Sequence, residues 1–142
     1  MACPYFIPTE MFADRVEGCR VRPPLGGLYR GSCVADGIKT EPPDADTLNS
    51  CCNFGYARSV CSHFPDSPGA DAVRFSVAKD NGRRVGILYT TEQDHRPERY
   101  GRMEFDREGE SWSGIEAGTV LYDQAQAYLK SYLNWRSRRA AV

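Results

Sequence analysis

All six cysteines and eight of the nine prolines of this 142-residue chain lie within its first 68 residues. Proline fixes the backbone φ angle and removes an amide donor, so prolines this frequent leave little room for long helices or central strands. The sequence therefore predicts that residues 1–68 form an irregular lobe made mostly of loops. A loop-rich stretch of this length needs something to order it, such as a metal, a disulfide framework or a partner.

One short helix is predicted inside this lobe. Either Asp44 or Asp46 can cap its first turn, because the side chain of aspartate accepts from the amides that a helix start leaves unpaired. We place the helix near residues 46–53. It would carry the adjacent cysteines Cys51 and Cys52 at its end, next to a turn.

The second part of the chain, residues 69–142, has the pattern of a conventional core. Apolar residues alternate with polar ones over 73–77, an Asp-Asn-Gly sequence supplies a turn, and an apolar run follows over 85–89. This pattern predicts an antiparallel β-hairpin. A third strand is predicted at 102–105, separated from the hairpin by the charged loop 92–99.

Apolar residues recur at helical spacing near the end of the chain and predict one amphipathic helix over about 119–136, packed on the sheet. The predicted fold class is α+β. It combines a small antiparallel sheet, one long C-terminal helix and an irregular metal-binding N-terminal lobe rich in cysteine and proline. A chain of 142 residues fits a single domain, which we place at 1–142.

Composition excludes several classes of function. Hydrophobic residues make up 41% and charged residues 26% of the chain, as in ordinary globular domains, and the formal net charge is −1. This charge argues against nucleic-acid or membrane partners. The N-terminus lacks the features of a signal peptide and no apolar run is long enough to span a bilayer. We therefore expect a cytoplasmic protein, in which clustered cysteines bind metals more often than they form disulfides.

The spacing of the cysteines is wide. They are Cys3, Cys19, Cys33, Cys51, Cys52 and Cys61, with 15, 13, 17, 0 and 8 residues between successive positions. No Cys-x-x-Cys occurs, so the usual zinc-knuckle pattern and the usual ferredoxin runs are both absent.

Turn-forming and aromatic neighbours nevertheless favour an iron–sulfur cluster. A [4Fe–4S] cluster needs four thiolates that arrive from separate directions, backbone N–H groups near its sulfurs, and apolar side chains that exclude water. Aromatic residues that could exclude water are Tyr5, Phe6, Tyr29, Phe54, Tyr56 and Phe64. The sequence predicts a [4Fe–4S] cofactor, with zinc as the alternative metal.

Six cysteines exceed the four ligands that a cluster needs. Adjacent side chains diverge, so only one of Cys51 and Cys52 is expected to be a ligand, and we assign Cys52 because it borders a turn. Cys19 is left out, because charged residues and no aromatic ones flank it. The predicted ligands are Cys3, Cys33, Cys52 and Cys61, with Cys51 as the alternative to Cys52.

A histidine two residues after Cys61 adds two further possibilities. His63 could be a ligand to the metal, or it could sit beside a reactive Cys61 thiol.

The sequence supports three hypotheses for function. The first is a small iron–sulfur protein, accessory rather than catalytic, that transfers electrons or has a structural role for a partner protein in redox or assembly chemistry. The others are a zinc-stabilised interaction or regulatory module and a thiol-dependent enzyme. A disulfide framework and simple buried thiols are the alternatives to any metal.

Overall fold

The computed structural model describes residues 1–19, 21–38 and 44–140. The elements in chain order are β1 (Phe6–Ala13), β2 (Leu28–Cys33), α1 (Ala45–Thr47), a π-helical turn (Leu48–Cys52), β3 (Ala72–Asp80), β4 (Arg84–Gln93), β5 (Arg96–Asp106), β6 (Ser111–Ser113) and α2 (Val120–Ala140). They form a two-stranded sheet, β1–β2, and a four-stranded sheet in the order β3–β4–β5–β6. The predicted α+β class is confirmed.

The β3–β4 hairpin is confirmed where the sequence predicted it. Its strands are antiparallel, with Val73 opposite Thr91 and Phe75 opposite Tyr89. The turn is held by side chains: Asp80 Oδ1 accepts from the amide of Gly82 at 2.9 Å. Alternation of apolar residues and a turn rich in Asp, Asn and Gly thus predicted this unit correctly.

The third strand exists but is longer than predicted, and the charged loop predicted over 92–99 is wrong. β4 continues to Gln93 and β5 begins at Arg96, so only two residues connect them. These are Asp94 and His95, with φ of 53° and 62°. Two central residues with positive φ suit the tight turn of a twisted hairpin, and charged side chains on an exposed strand do not interrupt its ladder. The short strand β6 was not predicted.

The N-terminal lobe is less irregular than the sequence analysis expected, because β1 and β2 pair in an antiparallel ribbon. Pro8 lies inside β1, where a two-stranded ribbon leaves one side of each strand without ladder bonds. The register shifts between Pro8 and Glu10. A side chain at Gly31 would overlap the carbonyl oxygen of Ile7, so the ribbon needs glycine there. The ribbon therefore accommodates Pro8, the proline within its strands.

The short helix predicted near 46–53 is confirmed, with one difference. Of the two predicted caps, Asp44 and Asp46, Asp44 is the one used, since its Oδ1 accepts from the amide of Thr47 at 2.7 Å. After the single α-helical turn the chain widens into the π-helical turn, which contains Cys51 and Cys52. π-Helical turns are rare and occur frequently at functional sites.

The predicted C-terminal helix is confirmed as α2, which runs about one turn further than expected. It packs on both sheets. The Tyr128 ring stacks on Phe75 of β3 at 5.5 Å, and the hydroxyl of Tyr29 in β2 donates to the carbonyl of Ala127 at 2.8 Å. Within the described residues, no helix is both long enough and apolar enough to cross a membrane.

Buried residues from the N-terminal lobe and from residues 69–140 form one hydrophobic cluster. Its members from the lobe include Phe6, Leu25 and Tyr29, and its members from the sheet include Ile87 and Met103. The backbone joins the same two parts, because Ala2 and Val73 form an antiparallel bridge. This shared core positions the cysteine-bearing segments against the sheet and α2.

Candidate metal centre

Five of the six cysteines converge, although they come from four separate segments. Cys3 precedes β1, Cys33 ends β2, Cys51 and Cys52 lie in the π-helical turn, and Cys61 follows in the connection to β3. A negative charge on Cys33, Cys61 or Cys51 would raise the pKa of Cys3. A negative charge on any of the other four thiols would likewise raise the pKa of Cys52. All cysteines are present as thiols rather than disulfides. The four predicted ligands and the alternative Cys51 thus lie in one group, called here the thiol cluster.

Cys19 lies outside the thiol cluster. Its side chain is exposed, and its Sγ lies 3.7 Å from the carbonyl oxygen of the nearby Val21. The sequence analysis left Cys19 out because charged residues flank it, and the structure gives it a solvent-facing position in the loop after β1.

Burial sets the electrostatics of the thiol cluster. It raises the pKa of Cys3 from 9.0 to about 12, and the neighbouring thiols add to this increase. Burial likewise raises the pKa of Cys52 to about 12, again with the other thiols adding to it. Burial also raises the pKa of Cys33. These thiols are therefore protonated at neutral pH, and a metal bound by them would have to displace their protons.

Cys3 is held by groups that are distant in the sequence. Its amide donates to the carbonyl of Cys52 at 3.1 Å, which ties the two predicted ligands together through the backbone. Its carbonyl accepts from Gln124 Nε2 in α2 at 2.7 Å, and the same nitrogen donates to the carbonyl of Phe6 at 2.8 Å. Gln124 is fully buried. α2 therefore fixes the turn that presents Cys3.

Asn53 fixes the segment that carries Cys51 and Cys52. Its side chain is fully buried, and its Oδ1 accepts from the amide of Tyr29 at 3.0 Å. Its Nδ2 donates to the carbonyls of Tyr29 and Leu48 at 3.1 Å and 3.0 Å. These bonds fasten the end of the π-helical turn to β2, the strand that ends in Cys33.

Cys33 and Cys61 form the more exposed side of the thiol cluster. Both are partly exposed, whereas Cys3 and Cys52 are buried. The amide of Ala35 donates to Cys33 Sγ at 3.4 Å, the kind of N–H to sulfur contact that stabilises thiolates in iron–sulfur sites. Cys61 lies in a turn in which its amide donates to the carbonyl of Ala57 at 2.7 Å.

Some of the aromatic residues predicted to shield the site are next to it. Tyr5 and Phe64 pack edge to face at 5.4 Å, on segments that adjoin Cys3 and Cys61. The Arg58 guanidinium lies 4.7 Å from the Phe64 ring centre and is bound to Asp71 at 2.6 Å. The Tyr56 ring instead stacks on His95 at 4.1 Å and faces the β4–β5 turn.

His63 has a different neighbour. Its Nδ1 lies 3.8 Å from Asp36 Oδ2, and its side chain is 43% exposed. The contact connects the loop after Cys33 with the loop after Cys61. A ligand role for His63 stays a prediction.

Within the described residues, no group of three or more His, Cys, Asp or Glu side chains is set to hold a single metal ion. Four sulfurs around one zinc at about 2.3 Å lie about 3.8 Å from each other. A four-iron cluster instead gives each thiolate its own iron, so its ligands are spread more widely.

No protein family model, curated protein or solved structure matches this chain. The argument for function therefore rests on the residues themselves.

Two residues that support the thiol cluster were not assigned roles from the sequence. Gln124 lies 121 positions after Cys3, and no local pattern connects them. Asn53 follows Cys52 directly, but a buried amide with three backbone partners has no sequence signature. Both fix backbone rather than binding metal.

We expect Asn53→Ala to lower the free energy of unfolding by about 2–4 kcal/mol, because it leaves buried backbone groups of Tyr29 and Leu48 without partners. Urea denaturation monitored by circular dichroism measures this change. Asn134→Ala, at an exposed position of α2, is the matched control and should change stability by about 0.5 kcal/mol or less. Equal effects of the two substitutions would contradict the role given to Asn53.

The raised pKa values predict alkaline sensitivity of the metal-depleted protein. In the folded state Cys3 and Cys52 keep their protons to about pH 12, whereas in the unfolded chain they lose them near the ordinary value of 9.0. Stability should therefore be fully present below pH 9 and fall as the pH rises towards 12, by about 1.4 kcal/mol per pH unit for each thiol. Urea titrations at several pH values measure the slope. Cys3→Ser should make it shallower, and an unchanged slope would contradict the burial argument.

Proposed function

We propose that this chain is a small iron–sulfur protein that holds a [4Fe–4S] cluster on Cys3, Cys33, Cys52 and Cys61. The observation that carries the proposal is that these cysteines come from four segments yet lie near enough to influence one another's ionisation, with Cys3 and Cys52 buried and Cys33 and Cys61 partly exposed. Four directions of approach suit a compact cluster with one thiolate at each iron. A group of thiols with no disulfide between its members suits a cation bound by their thiolates.

The surroundings of the thiol cluster support an iron–sulfur centre over a simple packing role. One sulfur already accepts an amide hydrogen bond, from Ala35 to Cys33. Backbone donors of this kind tune the potential of a cluster, and the packed rings of Tyr5 and Phe64, on segments that adjoin Cys3 and Cys61, would limit access of water to it.

The exposure of the ligands indicates where electrons would enter or leave. Cys33 and Cys61 are partly exposed, while Cys3 and Cys52 are buried, so the cluster would be nearest to solvent at the Cys33 and Cys61 side. Val60, beside Cys61, is 72% exposed, and Ile38, in the loop after Cys33, is 70% exposed. Exposed apolar side chains around a redox centre suit a protein partner. We propose electron transfer or an accessory role in redox or assembly chemistry.

The alternative is a zinc-stabilised interaction or regulatory module. It uses the same cysteines, but the thiol cluster would have to contract around a single ion, since no such arrangement is present among the described residues. A thiol-dependent enzyme is the third hypothesis. It has less support, because His63, the predicted neighbour of a reactive Cys61 thiol, contacts the carboxylate of Asp36.

Visible absorption of protein purified without oxygen tests the proposal. A brown protein with a broad band that bleaches when dithionite is added is the expected result. A colourless protein with one zinc per chain would replace the proposal with the zinc module. A colourless protein without any metal would contradict both the iron–sulfur proposal and the zinc module. Alkylation of Cys61 at several pH values would then test for a reactive thiol.

A further inference from the structure

A second concave site lies away from the thiol cluster. It is a cleft of about 380 Å³ between α2 and the segment that leads into β2. Pro23 and Pro24 line it together with four aromatic side chains, called here the aromatic wall: Phe75, Tyr128, Tyr132 and Trp135. Small-molecule sites are typically clefts of about 300–1,000 Å³ with mainly apolar and aromatic walls. This cleft has that size and that lining.

The walls of the cleft are fixed in place. Phe75 and Tyr128 stack on each other, and the Tyr132 hydroxyl donates to Asp80 at 2.7 Å. On the other side, Gly26 has a φ of 79°, and a Cβ there would lie 2.6 Å from the Cβ of Ser131 in α2. Only glycine allows the loop to approach the helix this closely. A preformed cleft binds a ligand without first having to order its own walls.

Arg22 gives the cleft a positive edge, and Arg139 lies against the Trp135 ring near it. The guanidinium groups of Arg22 and Arg139 lie 4.5 Å and 5.2 Å from the centre of the Trp135 ring. Among the described residues, no carboxylate forms an ion pair with either of them. Two other arginines of α2 do form ion pairs: Arg136 binds Asp80 and Arg138 binds Asp14, each at 3.1 Å. The cleft therefore offers guanidinium groups that no described residue engages in an ion pair, although the charge of Asp14 acts on Arg22.

We propose that this cleft binds a small planar aromatic molecule that carries one anionic group. The ring would pack between the prolines and the aromatic wall, and the anion would face Arg22, which lines the cleft. Guanidinium groups bind carboxylate and phosphate through charge-assisted hydrogen bonds, and aromatic walls pack flat rings. A ring without an anionic group would gain only the packing against the aromatic wall.

This proposal does not depend on the metal centre. Along α2, Tyr128 and Trp135 lie 4 and 11 residues beyond Gln124, the residue that holds Cys3. At about 1.5 Å per residue, this places the aromatic wall roughly 6–17 Å further along the helix. The cleft could bind its ligand with or without a cluster, so the two proposals fail independently.

The test uses two probes of nearly the same shape, 1-naphthoate and 1-naphthamide, added to the full chain as purified. Binding is followed by NMR through the indole N–H signals of the two tryptophans. Trp135 lines the cleft, whereas Trp112 donates to Gln126 from β6 and serves as an internal reference. We expect saturable shifts centred on Trp135, and an affinity for 1-naphthoate about tenfold or more above that for 1-naphthamide.

Variants separate the charge from the packing. Arg22→Gln should remove the preference for 1-naphthoate, and Arg22→Lys should keep most of it. Arg30→Gln is the matched control, because Arg30 also lies over an aromatic ring, Phe12 at 5.1 Å, but outside the cleft. It should bind both probes as the parent protein does.

Three results would each overturn the proposal. They are equal affinities for the two probes, an unchanged preference in Arg22→Gln, and no saturable shift of Trp135 at probe concentrations of about 10 mM, well above the roughly millimolar affinity of a ligand this small.

Discussion

Serine in place of Cys3, Cys33 or Cys61 should remove most of the iron and acid-labile sulfide from the protein, whereas Cys19→Ser should leave both near the parent level. Serine keeps the size of the side chain but supplies no thiolate, and a cluster that loses one of four ligands loses much of its binding free energy. Cys3 and its neighbours share one location, while Cys19 is exposed in a loop outside it. Iron and sulfide assays on the four variants, purified without oxygen, measure the difference.

Cys19→Ser is the matched control in that experiment, because it makes the same chemical change at a cysteine outside the thiol cluster. Circular dichroism of each variant shows whether the fold is retained. Loss of iron from Cys19→Ser equal to the loss from the other three would refute the ligand assignment. Full occupancy in Cys3→Ser, Cys33→Ser and Cys61→Ser would refute the thiol cluster as the binding site.

The cysteine pair should show the second large effect. We expect Cys52→Ala to lose the metal and to destabilise the N-terminal lobe, and Cys51→Ala to keep the metal and lower the free energy of unfolding by roughly 1 kcal/mol or less. Charges on Cys3, Cys33, Cys61 and Cys51 would all act on the Cys52 thiol, and the Cys52 carbonyl accepts from the amide of Cys3. Metal analysis and urea denaturation of the two variants measure the outcomes.

Both side chains of the pair are buried, and both lie in the π-helical turn, so burial alone does not separate them. Reversed results would transfer the ligand role to Cys51, the alternative predicted from the sequence, and would keep the metal centre. If Cys51→Ala and Cys52→Ala both fold and contain the same amount of metal, a site that uses only one of these two cysteines is contradicted.

Elements with a local sequence signature were predicted well. The β3–β4 hairpin follows from alternating apolar residues and a turn in which Asp80 binds the Gly82 amide. The short helix follows from the Asp44 cap. In each case the residues that determine the structure are neighbours in the sequence, so a pattern within a few residues contains the needed information.

Elements fixed by distant contacts were predicted less well. The β1–β2 ribbon was missed because prolines discourage strands locally, while its pairing depends on Gly31 approaching Ile7. The segment 92–99 was taken as a loop because it is charged, but strand pairing overrides charge when the side chains face solvent. A weak local preference gives way to tertiary contacts in both cases.

The grouping of the cysteines was expected from the sequence, but its geometry was not, and the metal is untested. The concentration of cysteines in residues 1–68 indicated a metal, and flanking charge separated Cys19 from the rest. The convergence of Cys3 with Cys52 depends on Gln124 and Asn53, whose partners are distant along the chain or lie in another element. Sequence spacing carries no information about such contacts. The structure therefore adds the arrangement, and the metal itself stays a proposal.

Iron and acid-labile sulfide, measured per chain in protein purified without oxygen, test the central claim most directly. A [4Fe–4S] centre predicts about four iron atoms and about four sulfides in each chain, with visible absorption that bleaches under dithionite. Protein that contains neither iron nor sulfide, both as purified and after incubation with iron, sulfide and a thiol reductant, would contradict the account.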